Sequence, residues 1–176
     1  MSALGHIAIG AATARRVTPS EAPSGILRNR MLALSALALL PDLDFLLPAG
    51  AFPVGPFTHR GASHSLAVAV VVGLAVANMV TIRRGSHAIG WGLIATAVVA
   101  SHGIMDAFGA TNLGVALLWP FSTARILAPW HVLPNPLWGG VLSSAFLVEL
   151  GIEAALFLPF WLYAFWPRRA DVRKAA

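Results

Sequence analysis

Apolar residues fill long unbroken stretches of this chain, and the polar residues gather where those stretches end. Four stretches have the length and apolarity of membrane helices: residues 26–40, 64–82, 87–108 and 140–166. A fifth, residues 3–14, is apolar but too short to cross comfortably. It reads as a short packed or partly inserted helix in which Gly5 and Gly10 permit close approach to a neighbour. The pattern predicts an all-α fold: a polytopic membrane helix bundle of four transmembrane helices plus a short N-terminal helix. Residues 1–170 are expected to form a single integral-membrane domain and 171–176 a basic cytoplasmic tail. Residues 18–25 read as a Pro/Ser loop, and neither an internal repeat nor a low-complexity segment is visible.

Composition supports this class. Of 176 residues, 57% are hydrophobic and only 11% charged, against about 25% charged in ordinary soluble domains. The formal net charge is +5, but the basic residues sit in short flanks beside apolar spans. That placement is an orientation signal and excludes a nucleic-acid surface. There is no cysteine, so thiolate ligands and disulfides are excluded. The N-terminus does not read as a cleaved signal peptide, because Arg15 and Arg16 follow the first apolar run instead of preceding it.

Ten of the twelve Lys/Arg residues fall between Arg15 and Arg30, at Arg83-Arg84, or from Arg168 onward, and four spans put all three groups on one side. The positive-inside rule makes that side cytoplasmic, so the protein is expected in the cytoplasmic (inner) membrane with a cytoplasmic C-terminus. Only Arg60 and Arg125 lie opposite. Trp119, Trp130 and Trp138 at one level, and Trp161, Tyr163 and Trp166 at the other, fit two interfacial aromatic belts.

Three polar clusters interrupt the apolar background: Pro41-Asp42-Leu43-Asp44, the loop from His59 to His64, and His102 to Asp106. Ionisable groups at membrane depth are costly and mark a functional site. Together the clusters supply three carboxylates and three imidazoles, donors suited to a divalent metal. Helix rise tests whether they meet. His64 lies about 28 Å from Arg83, His102 about 27 Å from Arg84, and Glu149 about 28 Å from Arg168 if the helix survives Pro159. Asp106 is one turn above His102 on the same face. Asp42 sits lower, roughly 18 Å above Arg30. His64, His102, Asp106 and Glu149 therefore share a layer toward the outer face, and the short first span is expected to thin the bilayer locally or to place its carboxylates in a recessed funnel.

Each motif also has a plainer reading. Pro41 ends a helix and favours an extended stretch, so Asp42 and Asp44 could be a solvated helix end; in a turn, both reach one metal or bridge two. Ser63 could cap the helix after it, but a capping loop does not account for both His59 and His64. His102 and Asp106 could form a hydrogen bond without metal. His6 alone is as suited to packing as to ligation. His87 reads as interfacial, and His131 sits in an outer Pro/Trp-rich loop. Glu149 and Glu153 share a face inside a span; Glu149 has the height of a ligand or general base, and Glu153 lies a turn deeper, supporting a ligand from behind, protonated, or paired with another helix. Arg60 is placed to pair with Asp42 or Asp44, or to hold an anionic group.

The succession of a histidine-bearing first helix, P-D-x-D, H-R-G-x-x-H-S, H-x-x-x-D and the stretch from Gly114 to Ser122 resembles the membrane-bound, metal-dependent hydrolases typified by the LexA-regulated YdjM proteins. The resemblance covers nearly the whole chain. It implies His6, Asp42, Asp44, His59, His64, His102 and Asp106 as the characteristic polar set, similar in kind to zinc phospholipases C.

These readings converge on a membrane-embedded, metal-dependent hydrolase at the lipid–water interface. One or two divalent ions, Zn²⁺ foremost with Mn²⁺ and Mg²⁺ as alternatives, are expected on that set; six or seven candidate ligands favour two. Glu149 is expected as general base, and Arg60 and Arg125 as phosphate-neutralising groups. The expected substrate is a phospholipid or lipid-linked phosphoester, without nucleic acid; the oligomeric state is left open. The alternative is a metal-binding membrane module or transporter without hydrolysis, against which the clustering toward one face and the lack of repeats argue.

Overall fold

The computed structural model describes residues 3–46, 57–83, 85–109, 113–130, 132–133 and 143–168. Arg84, His131, Trp138, the start of the fourth expected span and the tail 171–176 lie outside them. The described residues form six α-helices: α1 (Ala3–Val17), α2 (Ser24–Ala38), α3 (Leu66–Ile82), α4 (Ala88–Asp106), α5 (Ser144–Leu156) and α6 (Leu158–Phe165). Two 3-10 segments, Leu40–Leu46 and Ala62–His64, carry the first two polar clusters. Isolated bridges, Gly109 with Leu133 and Val115 with Ile126, tie the segment after α4, and no strand forms among the described residues.

Local chemistry sets several of the helix ends. Ser65 caps α3, its hydroxyl accepting from the Val68 amide at 3.2 Å. The cap is therefore Ser65 and not Ser63. Ser143 caps α5 in the same way through Phe146. Pro41 does stop α2, but the chain tightens into a 3-10 turn instead of extending, and this turns Asp42 and Asp44 back over the bundle end. The helix does not survive Pro159 unbroken: α5 and α6 meet at Phe157 with a bend of 57°.

Small residues set the seams. A Cβ on Gly10 would fall 2.6 Å from the Ser35 backbone, so α1 and α2 touch backbone to backbone there. A Cβ on Gly73 would collide with Thr96 and one on Gly92 would meet Ala77, which fixes the close α3–α4 crossing.

Among the described residues, α4 is the one helix that alone is long and apolar enough to cross a membrane; α5 and α6 qualify only as a bent pair, and α3 is a shorter apolar helix of 17 residues. The four separate spans are thus not established by helix length. Only 33% of the most apolar stretch of α4 is buried inside the protein. Val71, Leu74, Ile89 and Leu93 point outward from α3 and α4, which leaves a broad apolar exterior.

Candidate metal centre

Four elements deliver the polar side chains to one end of the bundle. His6 comes from the first turns of α1, Asp42 and Asp44 from the 3-10 turn after α2, His64 from the turn before α3, and His102 and Asp106 from the last turns of α4. The α4 pair follows from helix pitch alone. The others need the helices to pack.

Asp42, His64, His102 and Asp106 each bring one donor atom to the same place, all within 4.8 Å of one another. His64 Nε2 lies 3.4 Å from Asp42 Oδ1 and 3.5 Å from Asp106 Oδ2. His102 Nε2 lies 3.3 Å from the same Asp42 oxygen and 3.7 Å from the same Asp106 oxygen. A tetrahedron with Zn–ligand bonds of about 2.0–2.1 Å has edges of about 3.4 Å. The imidazole nitrogens are buried and make no hydrogen bond, a costly condition unless something else occupies the centre. The donors fit a small divalent cation.

The opposite ring nitrogens are held. His102 Nδ1 sits 2.7 Å from the Ala38 carbonyl oxygen, which accepts its proton and leaves Nε2 as the lone-pair side. His64 Nδ1 lies 2.9 Å from the Ser63 hydroxyl and 3.4 Å from Asp44 Oδ2, and Ser63 also donates to Asp44 at 2.8 Å. Asp44 in turn is 2.9 Å from His59 Nδ1. Asp44, His59 and His64 thus form a second cluster behind the first, joined through one ring.

Burial alone would push the Asp42 carboxyl up, but the neighbouring His102 and His64 rings hold it below the usual carboxylate range. Burial likewise opposes ionisation of Asp44, and the hydrogen bonds from His59 and Ser63 hold it below its ordinary value. Both are carboxylates at neutral pH.

His6 stacks face to face on His102, ring centroids 3.7 Å apart, and its Nε2 lies 3.6 Å from the other Asp106 oxygen. It packs against the four-donor cluster without joining it. Arg60 does not pair with Asp42 or Asp44. A left-handed backbone at Arg60, φ 61°, swings the side chain inward, where Nε lies 3.3 Å from Asp106 Oδ2 and Nη1 donates to the Asp106 carbonyl at 3.3 Å. Arg125 donates to the carbonyls of His59 and Gly114 and to the Thr58 hydroxyl, fastening the loop instead of projecting into the site. Glu149 joins neither cluster, and its Oε2 is buried without a hydrogen bond.

The chain matches the family of YdjM inner membrane proteins over residues 1–170. It belongs to that family. The resemblance carried by the P-D-x-D, H-R-G-x-x-H-S and H-x-x-x-D motifs is thereby established, and with it an inner-membrane protein family as the setting for the cluster. The Inner membrane protein YbcI of Escherichia coli (strain K12) is 39% identical over 102 residues, 55% of this chain and 57% of that relative. The match thus spans little more than half the length of the curated relative. No solved structure matches the chain.

Some contributors carried no signal in the YdjM-type motifs. The Ala38 carbonyl is backbone, so no side-chain pattern reveals it. Glu153, fully buried, accepts the Gly5 amide at 2.9 Å and so caps the start of α1, next to His6. Its place inside an apolar span did point to a partner on another helix.

Proposed function

We propose that this YdjM-family protein is a multi-pass inner-membrane hydrolase that binds one divalent cation on Asp42, His64, His102 and Asp106 and acts on an amphiphilic phosphoester. The observation that carries the reading is the pair of buried, unbonded imidazole Nε2 atoms set against two carboxylate oxygens at near-tetrahedral spacing. Two histidines with two carboxylates suit Zn²⁺ best, because Mg²⁺ demands six oxygen-rich positions. A bound ion of this kind supplies a Lewis acid and an activated water.

One ion is a better match than two. The second cluster uses His64 through Nδ1 while the first uses Nε2. Serving both would need an imidazolate, whereas a neutral ring serves one ion and donates through Nδ1 to the Ser63 hydroxyl, which donates in turn to Asp44. In this reading Asp44, Ser63 and His59 orient His64, His6 packs His102 in place, and Arg60 balances the charge of Asp106. Asp42, with 28% of its side chain exposed, is the open side through which substrate reaches the centre. Leu43 and Phe45, on the same 3-10 segment, are exposed, suiting a lipid tail. Glu149, on the apolar helix α5 with its Oε2 buried, is the candidate general base.

The membrane arrangement belongs to the same proposal. Spans built on α2, α3, α4 and the α5–α6 pair, with the arginine-bearing ends in the cytoplasm, put the site toward the outer face.

One observation favours a second reading. Four protein ligands describe a closed structural site, whereas catalytic zinc keeps three and an open position. A metal-binding membrane module without hydrolysis would fit that count. The deciding experiment measures metal content and phosphoesterase turnover of detergent-purified protein, wild type beside Asp42→Asn, His64→Ala and Asp106→Asn. Hydrolysis requires about one ion per chain and turnover lost by at least 100-fold in His64→Ala. Bound ion with no turnover establishes the structural reading, and turnover that survives His64→Ala sinks the assignment.

A further inference from the structure

A cavity lies far from the metal centre, between α1 and α6. It encloses about 390 Å³, within the ~300–1,000 Å³ of small-molecule sites. Ile9 and Thr13 line it from α1, Pro159, Phe160 and Tyr163 from α6, and Arg16 stands at one end. The two helices run in the same direction: Gly5 at the start of α1 meets Glu153 just before α6, and Arg168 just after α6 donates to the Ala22 carbonyl just after α1. The groove is therefore apolar from Ile9 downward and ends in a guanidinium beside a phenol. From Ile9 to Arg16 is about 10 Å along α1.

The arginines of this end are not alike. Arg30 donates to the Val17 carbonyl and lies over the Trp91 ring, and Arg168 has the Ala22 carbonyl. Arg16 forms no ion pair or hydrogen bond among the described residues, and Arg15 leaves its Nε buried without an acceptor. An apolar slot that ends at Arg16, a cation with no partner among the described residues, has the chemistry of one ligand class, an acyl chain ending in an anionic phosphodiester.

We propose that this groove binds one anionic phospholipid, an acyl chain between Thr13 and Phe160 and its phosphate on Arg16. The site lies at the bundle end opposite the metal centre and does not depend on hydrolysis. It differs from the general lipid contact of the exterior because its headgroup preference is set by one residue.

The test uses the full chain, delipidated in detergent and titrated with phosphatidylglycerol, phosphatidylcholine or inorganic phosphate, with melting temperature and native mass spectrometry as readouts. One retained phosphatidylglycerol per chain and a stabilisation that phosphatidylcholine does not match are expected. Arg16→Gln, a change at an exposed position, is expected to weaken phosphatidylglycerol by about fivefold and leave phosphatidylcholine unchanged. Thr13→Phe, which fills the slot, is expected to weaken both lipids; should that variant fail to fold, Arg16→Gln still decides. Equal response to both lipids, a response to phosphate alone, wild-type preference in Arg16→Gln, or a lipid-independent dimer that Thr13→Phe dissociates each overturns the proposal.

Discussion

His102 shows how one side chain can be specified from both ends. Its Nδ1 is committed to the Ala38 carbonyl at 2.7 Å, and its Nε2 faces Asp42 and Asp106. The Asp106 contact was legible in the i,i+4 spacing; the Ala38 contact was not, because a carbonyl carries no sequence signature. Asp44 does the equivalent task for His64 from outside the four-donor cluster. Asp44→Asn is therefore expected to lower ion affinity by about 10–100-fold without abolishing binding, measured by competition with a chromophoric chelator. Unchanged affinity would show that Asp44 does not orient His64. The sign of the pH effect follows from the depressed carboxylates. Stability added by Asp42 and Asp44 is fully present above about pH 4 and is lost as pH falls through their lower folded-state values. Asp44→Asn, less stable at neutral pH, is expected to lose less between about pH 4 and pH 2, as read by denaturant melts.

Glu153 links two elements, α1 and the α5–α6 break. Its carboxylate accepts the Gly5 amide at 2.9 Å, one of the orphan donors at the start of a helix, and does so fully buried. Glu153→Ala is expected to cost about 1–3 kcal/mol by stranding that donor. Glu153→Gln, which keeps an acceptor, is expected to recover most of the loss in thermal melts. Because the next residue is His6, Glu153→Ala should also loosen the ring stacked on His102. The positions of α1 to α4 were legible from apolar periods and flanking Pro, Gly and Arg residues. The 57° bend at Phe157 was less so: Pro159 announced a disturbance, but its angle depends on what α1 offers to pack against.

Across the molecule the charged chemistry separates by end. The candidate ligands sit in the turn after α2, before α3 and at the end of α4, with His6 at the start of α1 beside them, while Arg15, Arg16, Arg83 and Arg168 mark the opposite ends of α1, α3 and α6. The proposed topology, which puts the arginine-rich end in the cytoplasm, predicts that a reporter active only in the cytoplasm is active when fused after Ala176 and that one active only outside is silent. The reverse result would invert the bundle. Sequence alone determined the all-α class, the apolar exterior and the residue types of the centre, because each follows from local composition and from periods that one helix can express. Which residues share an ion was decided by tertiary structure: Asp42 and Asp44, two positions apart, face different clusters only because a 3-10 turn replaces the extended stretch. Arg60 and Arg125 likewise took partners more than forty positions away in the chain, Asp106 for the one and the His59 carbonyl for the other. Contacts of that range depend on how helices cross, and small residues such as Gly10, Gly73 and Gly92 set those crossings only once their neighbours are in place.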